Sequence, residues 1–307
     1  MIRILYSAKP EEFEIYRDGL KSALDIPHIV THDPVAPETV DYILYAPDSA
    51  LQDFSAFTRL KLVQSLWAGV ETVTPNATLT QPLARMVEFG LNQGMADYVM
   101  GHVLRHHLGT DFFAAQTGDW RGDNVPPLAN QRTVGILGLG ALGHDCATRL
   151  AKFGFEVCGW SRSEKHSDTF TCFHGEDGLN TALERSEILV LLLPNTPETH
   201  HIINADTLSK MRDGAMIINP GRGSLIDDDA LLSALNTGKV SGATLDVFTT
   251  EPLPKDHPYG AHPNVLVTPH VASATRPETA IETVVENIRR GEAGEPFLHL
   301  VDRDAGY

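Results

Sequence analysis

The chain holds three cysteines in 307 residues, Cys146, Cys158 and Cys172. The odd number excludes a closed disulfide framework, and their spacing fits no metal-ligand pattern. No apolar run approaches the roughly 20 residues that a membrane-spanning helix needs. Positive charge is scarce as well: 24 Lys and Arg stand against 40 Asp and Glu, a formal net charge of −16. That balance repels nucleic acid and anionic membranes at long range, and it makes any local cluster of cations informative as an anion site. Internal repeats and low-complexity tracts are lacking too. Met1 leads straight into an apolar run with neither a basic region nor a signal-peptide core before it. The expectation is a protein of the reducing cytoplasm, without nucleic-acid or membrane partners.

The hydrophobic fraction, 42%, and the charged fraction, 21%, are ordinary for a globular protein. At about 150 residues per domain the length allows two domains. Strand-like runs fall at 2–7, 42–46, 62–66 and 85–89, with a helical stretch at 11–24. A long helix is expected over 95–117, where Tyr98, Val99, Val103, Leu104, Leu108, Phe112 and Phe113 keep near-helical period. A proline-bearing loop over 118–130 follows. Beyond it, strands at 133–137, 155–160, 170–173, 188–193, 215–219, 242–245 and 265–268 alternate with helices. Asp227 is placed to cap a helix that stops at Gly238, and Thr275 with Glu278 to form a capping box for the last. Such alternation predicts an α/β protein built on parallel sheet.

Four polar or glycine-rich segments follow apolar runs, and ligands of open parallel sheets bind beyond the carboxyl ends of the strands. The first is Gly138-Leu139-Gly140-Ala141-Leu142-Gly143, between a strand and a helix. Its glycines permit the tight turn, close approach of a pyrophosphate and close helix–strand packing, and the helix N-terminus favours the anion. Dinucleotide binding is the reading. An acid about 20 residues on bonds the ribose of NAD. Here the next strand ends Ser161-Arg162-Ser163, 23 positions past Gly138, with no carboxylate. A hydroxyl followed by a guanidinium suits the 2′-phosphate of NADP, so NADP(H) is preferred over NAD(H).

The other three segments supply an acid–base set. Arg222, in Asn219-Pro220-Gly221-Arg222-Gly223, offers a planar fork for a carboxylate and its adjacent carbonyl. His270, after Thr268-Pro269, suits a proton donor, because imidazole titrates near neutral pH. Glu251, after Asp246-Val247-Phe248, suits an orienting partner on the second ring nitrogen. Asp246 either partners His270 or faces a nicotinamide ring. These three side chains are what reduction of a 2-oxo acid requires beyond hydride.

With these motifs together, the chain resembles the D-2-hydroxyacid dehydrogenase family, and within it the glyoxylate/hydroxypyruvate reductases of the A type. The glycine loop, Leu193-Pro194-Asn195-Thr196-Pro197-Glu198-Thr199, the Arg222 segment, Leu245-Asp246-Val247-Phe248 with Glu251-Pro252, and Thr268-Pro269-His270-Val271-Ala272 carry the resemblance, with residues 301–307 similar to the tail of that subgroup. The match is dense over 135–273 and weaker over the first 90 residues. It implies two Rossmann-like lobes, one flavodoxin-like and one dinucleotide-binding. The expected division is 1–95 with 285–307 as the substrate-binding lobe and 96–284 as the dinucleotide-binding lobe. It implies Arg222, Glu251 and His270 as the catalytic set, and Ala68-Gly69-Val70 as a loop whose N–H groups receive the substrate carboxylate. Cofactor contacts are implied at Gly138, Leu139, Gly140, Ala141, Leu142, Gly143, Ser161, Arg162, Ser163, Leu193, Pro194, Asn195, Thr199, Pro220, Gly221, Asp246, His270 and Ala272. The partner implied is a second copy, in a homodimer with the helix after Gly94 in the interface. Asp97 stands where the family commonly has glutamate, Asn195 where leucine is frequent, and Trp67 where a small residue is frequent.

Other groups carry two readings each. Trp67 either narrows a pocket or is simple core. His102 and His106, one helical turn apart with His107 adjacent, form either a metal pair or a stripe of an interface; no local Cys or Glu completes a zinc set. Cys146 is either a lowered-pKa thiol on the helix after the glycine loop or packing. The function expected is NADPH-dependent reduction of glyoxylate and hydroxypyruvate with His270 as proton donor. The alternatives are an NAD-linked dehydrogenase of a bulkier D-2-hydroxy acid and a dinucleotide-sensing binding protein without turnover.

Overall fold

The computed structural model describes residues 1–115, 125–303, 305 and 306. Along the chain come β1 (Ile2–Ser7), α1 (Phe13–Ala23), β2 (His28–Thr31), β3 (Tyr42–Tyr45), β4 (Leu62–Ser65), β5 (Leu83–Ala84), α2 (Phe89–Leu108) and α3 (Thr110–Ala114). Then follow β6 (Thr133–Leu137), α4 (Ala141–Phe153), β7 (Glu156–Ser161), β8 (Thr171–His174), α5 (Gly175–Arg185), β9 (Ile188–Leu191) and α6 (Ala205–Lys210). Last are β10 (Ala215–Asn219), α7 (Asp228–Thr237), β11 (Val240–Leu245), α8 (Pro258–Ala261), β12 (Val265–Val267) and α9 (Pro277–Ala293). The chain divides into two compact units, Met1–Leu91 with Ala274–Tyr307, and Asn92–Ser273.

In the first unit the strands form a parallel sheet in the order β2-β1-β3-β4-β5, that of flavodoxin-like sheets, with the switch point between β1 and β3. Alternation on β1 sends Ile2, Ile4 and Tyr6 to one face, where they meet Phe13, Tyr16 and Leu20 of α1 and Ile281, Val284 and Ile288 of α9. Ile43, Tyr45, Val63 and Leu83 face the other way, onto Phe54, Val70 and Leu79. The break into the C-terminal part falls at Ala274 rather than at the expected 285. The whole of α9 shares one apolar face with α1 and β1, so the division cannot pass through it.

In the second unit seven parallel strands take the order β12-β11-β10-β9-β6-β7-β8. Read outward from β6, this is the doubly wound dinucleotide-binding order extended by one strand, and the order reverses between β6 and β9. Strand β9 is buried along its length, Ile188 to Leu191, as a strand covered on both faces must be.

Local departures from the sequence reading have local causes. Strand β2 was not anticipated, because an edge strand reading His-Ile-Val-Thr is only partly buried and shows no alternation. The run at 85–89 is not a strand beyond Ala84: Glu88 turns back to accept the Leu91 N–H at 2.6 Å and opens α2. Helix α2 ends at Leu108, since Gly109 takes a left-handed φ of 65° before α3; residues 116–124, which carry the rest of that expected helix and part of the expected loop, lie outside the described residues, as do 304 and 307 of the tail. Thr275 and Glu278 form no capping box. The Thr275 hydroxyl donates to Leu66 O, and Arg276 occupies the N-cap with Pro277 behind it. Asp227 does cap α7, accepting from Ala230 N at 3.2 Å, and Gly238 closes it at φ 77°.

Candidate active site

The glycine loop leaves the end of β6 at the switch point. Gly138 has φ 103°, and a Cβ there would lie 2.4 Å from Leu192 O. At Gly143 a Cβ would lie 1.8 Å from Gly138 O, so only glycine lets α4 pack this close to the turn. Gly140 differs: its backbone is ordinary, and nothing lies within 4 Å of its Cβ position. Gly140 is also the N-cap of α4, and no side chain caps that helix. Amides at an uncapped helix start beside an open glycine are a cradle for an anion, and the cradle fits a dinucleotide pyrophosphate. At the end of neighbouring β7, Ser161 is buried and donates its hydroxyl to Ser163 O at 2.8 Å, while Arg162 is exposed.

Between β9 and α6 the segment at 193–199 is pinned by Thr199, whose hydroxyl donates to Pro194 O at 2.6 Å and accepts from Thr196 N at 2.9 Å. Ser224 ties it to the Arg222 loop by donating to Asn195 Oδ1 at 2.8 Å. That loop follows β10. Asn219 shapes it from both ends, donating to Arg222 O at 2.8 Å and accepting from Gly221 N at 3.1 Å. Gly223 lets the segment after β11 approach, since a Cβ would lie 2.0 Å from the carbonyl carbon of Phe248.

The ends of β11 and β12 meet over Asp246. Its side chain is fully buried, and its oxygens accept from the Thr268 hydroxyl, from Val271 N at 2.9 Å and from Ala272 N at 2.8 Å. Its backbone carbonyl accepts the His270 N–H at 2.8 Å. Tyr98 of α2 completes the chain, 2.7 Å from Thr268 Oγ1; because Thr268 donates to Asp246, Tyr98 is the donor. Asp246 thus spends its carboxylate on the loop that carries His270. It is not the partner of the imidazole. These bonds hold His270 at φ 53°, a left-handed conformation uncommon for histidine.

The partner of His270 is Glu251. Nδ1 lies 2.8 Å from Glu251 Oε2, while Oε1 accepts the Phe248 N–H at 2.9 Å. A carboxylate only accepts, so Nδ1 carries the proton, and Nε2 is the ring atom left for a substrate. The pair is solvent-accessible, His270 being 53% and Glu251 36% exposed at the side chain. Arg222, Glu251 and His270 therefore stand in strand-end loops of the same sheet that carries the glycine loop.

In the first unit Ala68 and Gly69 are half-buried beyond β4, and Val70 is anchored in the core. Trp67 is 41% exposed, so it is not core. The three helix histidines diverge: His102 lies against Tyr98 with ring centroids 4.3 Å apart, His106 Nε2 is 3.0 Å from Thr244 Oγ1, and His107 meets Phe155 edge-on at 5.0 Å. Burial pushes the Cys146 thiol up to about 12, which makes it a packing group. The roles of Thr268 and Tyr98 escaped the sequence reading: threonine before a proline, and tyrosine within a helical stripe, look like ordinary turn and core residues.

The chain is similar to known proteins over nearly its whole length. Residues 98–272 match the family model described as D-isomer specific 2-hydroxyacid dehydrogenase, NAD binding domain. A glyoxylate/hydroxypyruvate reductase A from Yersinia enterocolitica is 37% identical over 305 residues, 96% of this chain and 97% of that protein. Among solved structures, a D-isomer specific 2-hydroxyacid dehydrogenase from Xanthobacter autotrophicus in complex with NADPH and MES superimposes with a TM-score of 0.93 at 40% identity, over 99% of each chain. An NADPH-dependent glyoxylate/hydroxypyruvate reductase from Sinorhizobium meliloti in complex with NADP and sulfate does so with 0.86 at 35%, over the full length of both. The chain belongs to the D-isomer specific 2-hydroxyacid dehydrogenase family.

Proposed function

We propose that this protein is an NADPH-dependent reductase of small 2-oxo acids, glyoxylate and hydroxypyruvate foremost. The observation that carries the reading is the His270–Glu251 pair, at 2.8 Å, in the same set of strand-end loops as Arg222 and the uncapped glycine turn. Gly138, Gly140 and the start of α4 hold the pyrophosphate, and Ser161 and Arg162 meet the 2′-phosphate. When bound, the cofactor supplies the hydride that reaches the carbonyl carbon. Arg222 grips the carboxylate, and its guanidinium polarises the carbonyl. His270 delivers the proton to the carbonyl oxygen from Nε2, while Glu251 keeps the ring in the required tautomer and faces it with negative charge.

The active form in this reading is a cytoplasmic homodimer. Leu108, Phe112 and Phe113, at the end of α2 and in α3, are each 40% exposed or more, an apolar surface that a second copy would cover. Light scattering on the eluting protein checks the assembly. The activity is tested by following NADPH oxidation with glyoxylate and with hydroxypyruvate, and NADH in parallel. Rapid turnover with NADPH supports the reading; cofactor binding without turnover would move it to a sensor. His270→Gln is expected to lower kcat by roughly 10²–10⁴ with the fold intact.

A further inference from the structure

Helix α2 is tied by its side chains to the strand ends that carry the acid–base pair. Arg105 Nη1 donates to Thr244 Oγ1 at 3.1 Å, and His106 Nε2 lies 3.0 Å from the same hydroxyl. Thr244 stands on β11 two residues before Asp246. Two helical turns earlier Tyr98 reaches Thr268, the residue after β12, with 2.7 Å between the two oxygens. All of these residues belong to the second unit, as do Glu251 and His270.

The loop that begins at Thr268 needs such an anchor. Pro269 follows, and proline has no N–H to give. The Thr268 hydroxyl, Val271 N and Ala272 N therefore converge on the Asp246 carboxylate, and His270 N on the Asp246 carbonyl. A threonine hydroxyl has one proton and rotates to suit its acceptor. Because Tyr98 donates to Thr268 Oγ1, that one proton is committed to Asp246. Burial pushes the Tyr98 phenol up to about 12, so it stays protonated at neutral pH, and its ring lies against His102 with centroids 4.3 Å apart. At the far end of the chain His270 keeps φ 53°, a conformation that persists only where the surroundings over-determine it.

We propose that Tyr98 is a positioning residue for His270, acting from α2 through the Thr268 hydroxyl and the Asp246 carboxylate. The proposal rests on the function inferred above, in which His270 delivers the proton. Glu251 orients the ring, and the Tyr98 chain sets the backbone from which the ring projects. Proton delivery needs Nε2 within hydrogen-bond reach of the carbonyl oxygen, roughly 2.6–3.2 Å, and a misplacement of about 1 Å can cost as much as a hundredfold in rate.

The test is a double-mutant cycle on NADPH oxidation by glyoxylate, with Tyr98→Phe, Thr268→Val and the two combined. Tyr98→Phe removes one oxygen and is expected to lower kcat by about tenfold, with KM and the NADPH Kd changed less than about threefold. Thr268→Val is expected to lower kcat at least as much. The double variant should be no slower than Thr268→Val alone, since Tyr98 acts only through that hydroxyl. Thr268→Ser keeps the hydroxyl and should restore most of the rate, and this variant also carries the test if valine impairs folding. A kcat for Tyr98→Phe within about twofold of wild type would overturn the proposal while sparing the reductase reading. So would effects that multiply in the double variant, a loss carried by KM or the NADPH Kd, or a serine variant as slow as valine. A wild-type protein that turns over neither glyoxylate nor hydroxypyruvate would overturn both.

Discussion

Glu251 clamps two segments at once, its Oε2 2.8 Å from His270 Nδ1 and its Oε1 2.9 Å from Phe248 N. The carboxylate therefore fixes both the ring and the turn after β11. Glu251→Gln keeps an acceptor for the ring but removes the charge beside it. The expected outcome is a fall in kcat by roughly 10²–10³ with KM changed much less, since a positioning carboxylate acts on proton transfer rather than on ground-state binding. Steady-state kinetics with glyoxylate decides it. A kcat within a factor of about three of wild type would remove Glu251 from the mechanism.

Glu88 performs a structural task of the same kind. Its carboxylate is buried and accepts from Gly90 N at 2.5 Å, Leu91 N at 2.6 Å, Arg276 N at 3.1 Å and the Thr279 hydroxyl. It thereby satisfies the start of α2 and the start of α9 together. Glu88→Ala orphans these donors and is expected to cost roughly 3 kcal/mol or more, by the penalty for unsatisfied buried groups. Urea unfolding monitored by circular dichroism measures it, and a loss under about 1 kcal/mol would mean that water replaces the carboxylate at no great cost.

What the sequence made legible follows from where information is local. Thr133–Leu137 and Ala215–Asn219 were placed to the residue, because each is an apolar run between turn signals. The Asp227 cap and the Gly238 stop were equally local. His28–Thr31, Glu88 and the Asp246–Thr268–Tyr98 chain were not, since each depends on a partner far along the chain: Thr268 on Asp246, Tyr98 on Thr268, Glu88 on Thr279. Glu251 was named as the histidine partner on chemical type, but the alternative, Asp246, was set aside only by geometry. Its carboxylate is consumed by the backbone of the very loop that carries His270.

His106 should give the protein a distinctive acid sensitivity. Burial first, and then Arg105, lower its pKa from 6.5 to about 4, while its ring bonds Thr244. The folded value lies below the unfolded one. As pH falls from 6.5 towards 4 the unfolded chain therefore binds a proton that the native state refuses, and stability is lost over that window. The deficit is expected to reach about 2 kcal/mol near pH 4.5. His106→Gln removes this titration while retaining a hydrogen-bonding group. Denaturant unfolding at pH 7 and pH 4.5 should show a smaller acid-induced loss in the variant than in the wild type. Equal losses would mean that the ring takes up its proton in the native state.

Gly140 and Gly143 separate cofactor binding from folding within one turn. Alanine at 143 would place its Cβ 1.8 Å from Gly138 O, so backbone must shift and the packing of α4 on the turn is lost. Destabilisation of roughly 2–4 kcal/mol is expected, with dinucleotide binding lost as a consequence. At 140 the backbone angles suit alanine and nothing lies within 4 Å of the new methyl. The fold should accept it, and the unfolding midpoint should stay close to wild type. The methyl would nevertheless occupy the approach to the α4 amides, where the pyrophosphate is inferred to rest. NADPH affinity should then fall by about tenfold or more, equivalent to about 1.4 kcal/mol. Fluorescence titration of NADPH against the two variants and the wild type reads the difference directly. An unchanged Kd in Gly140→Ala would show that the anion does not sit on this turn, whatever the glycines contribute to the fold.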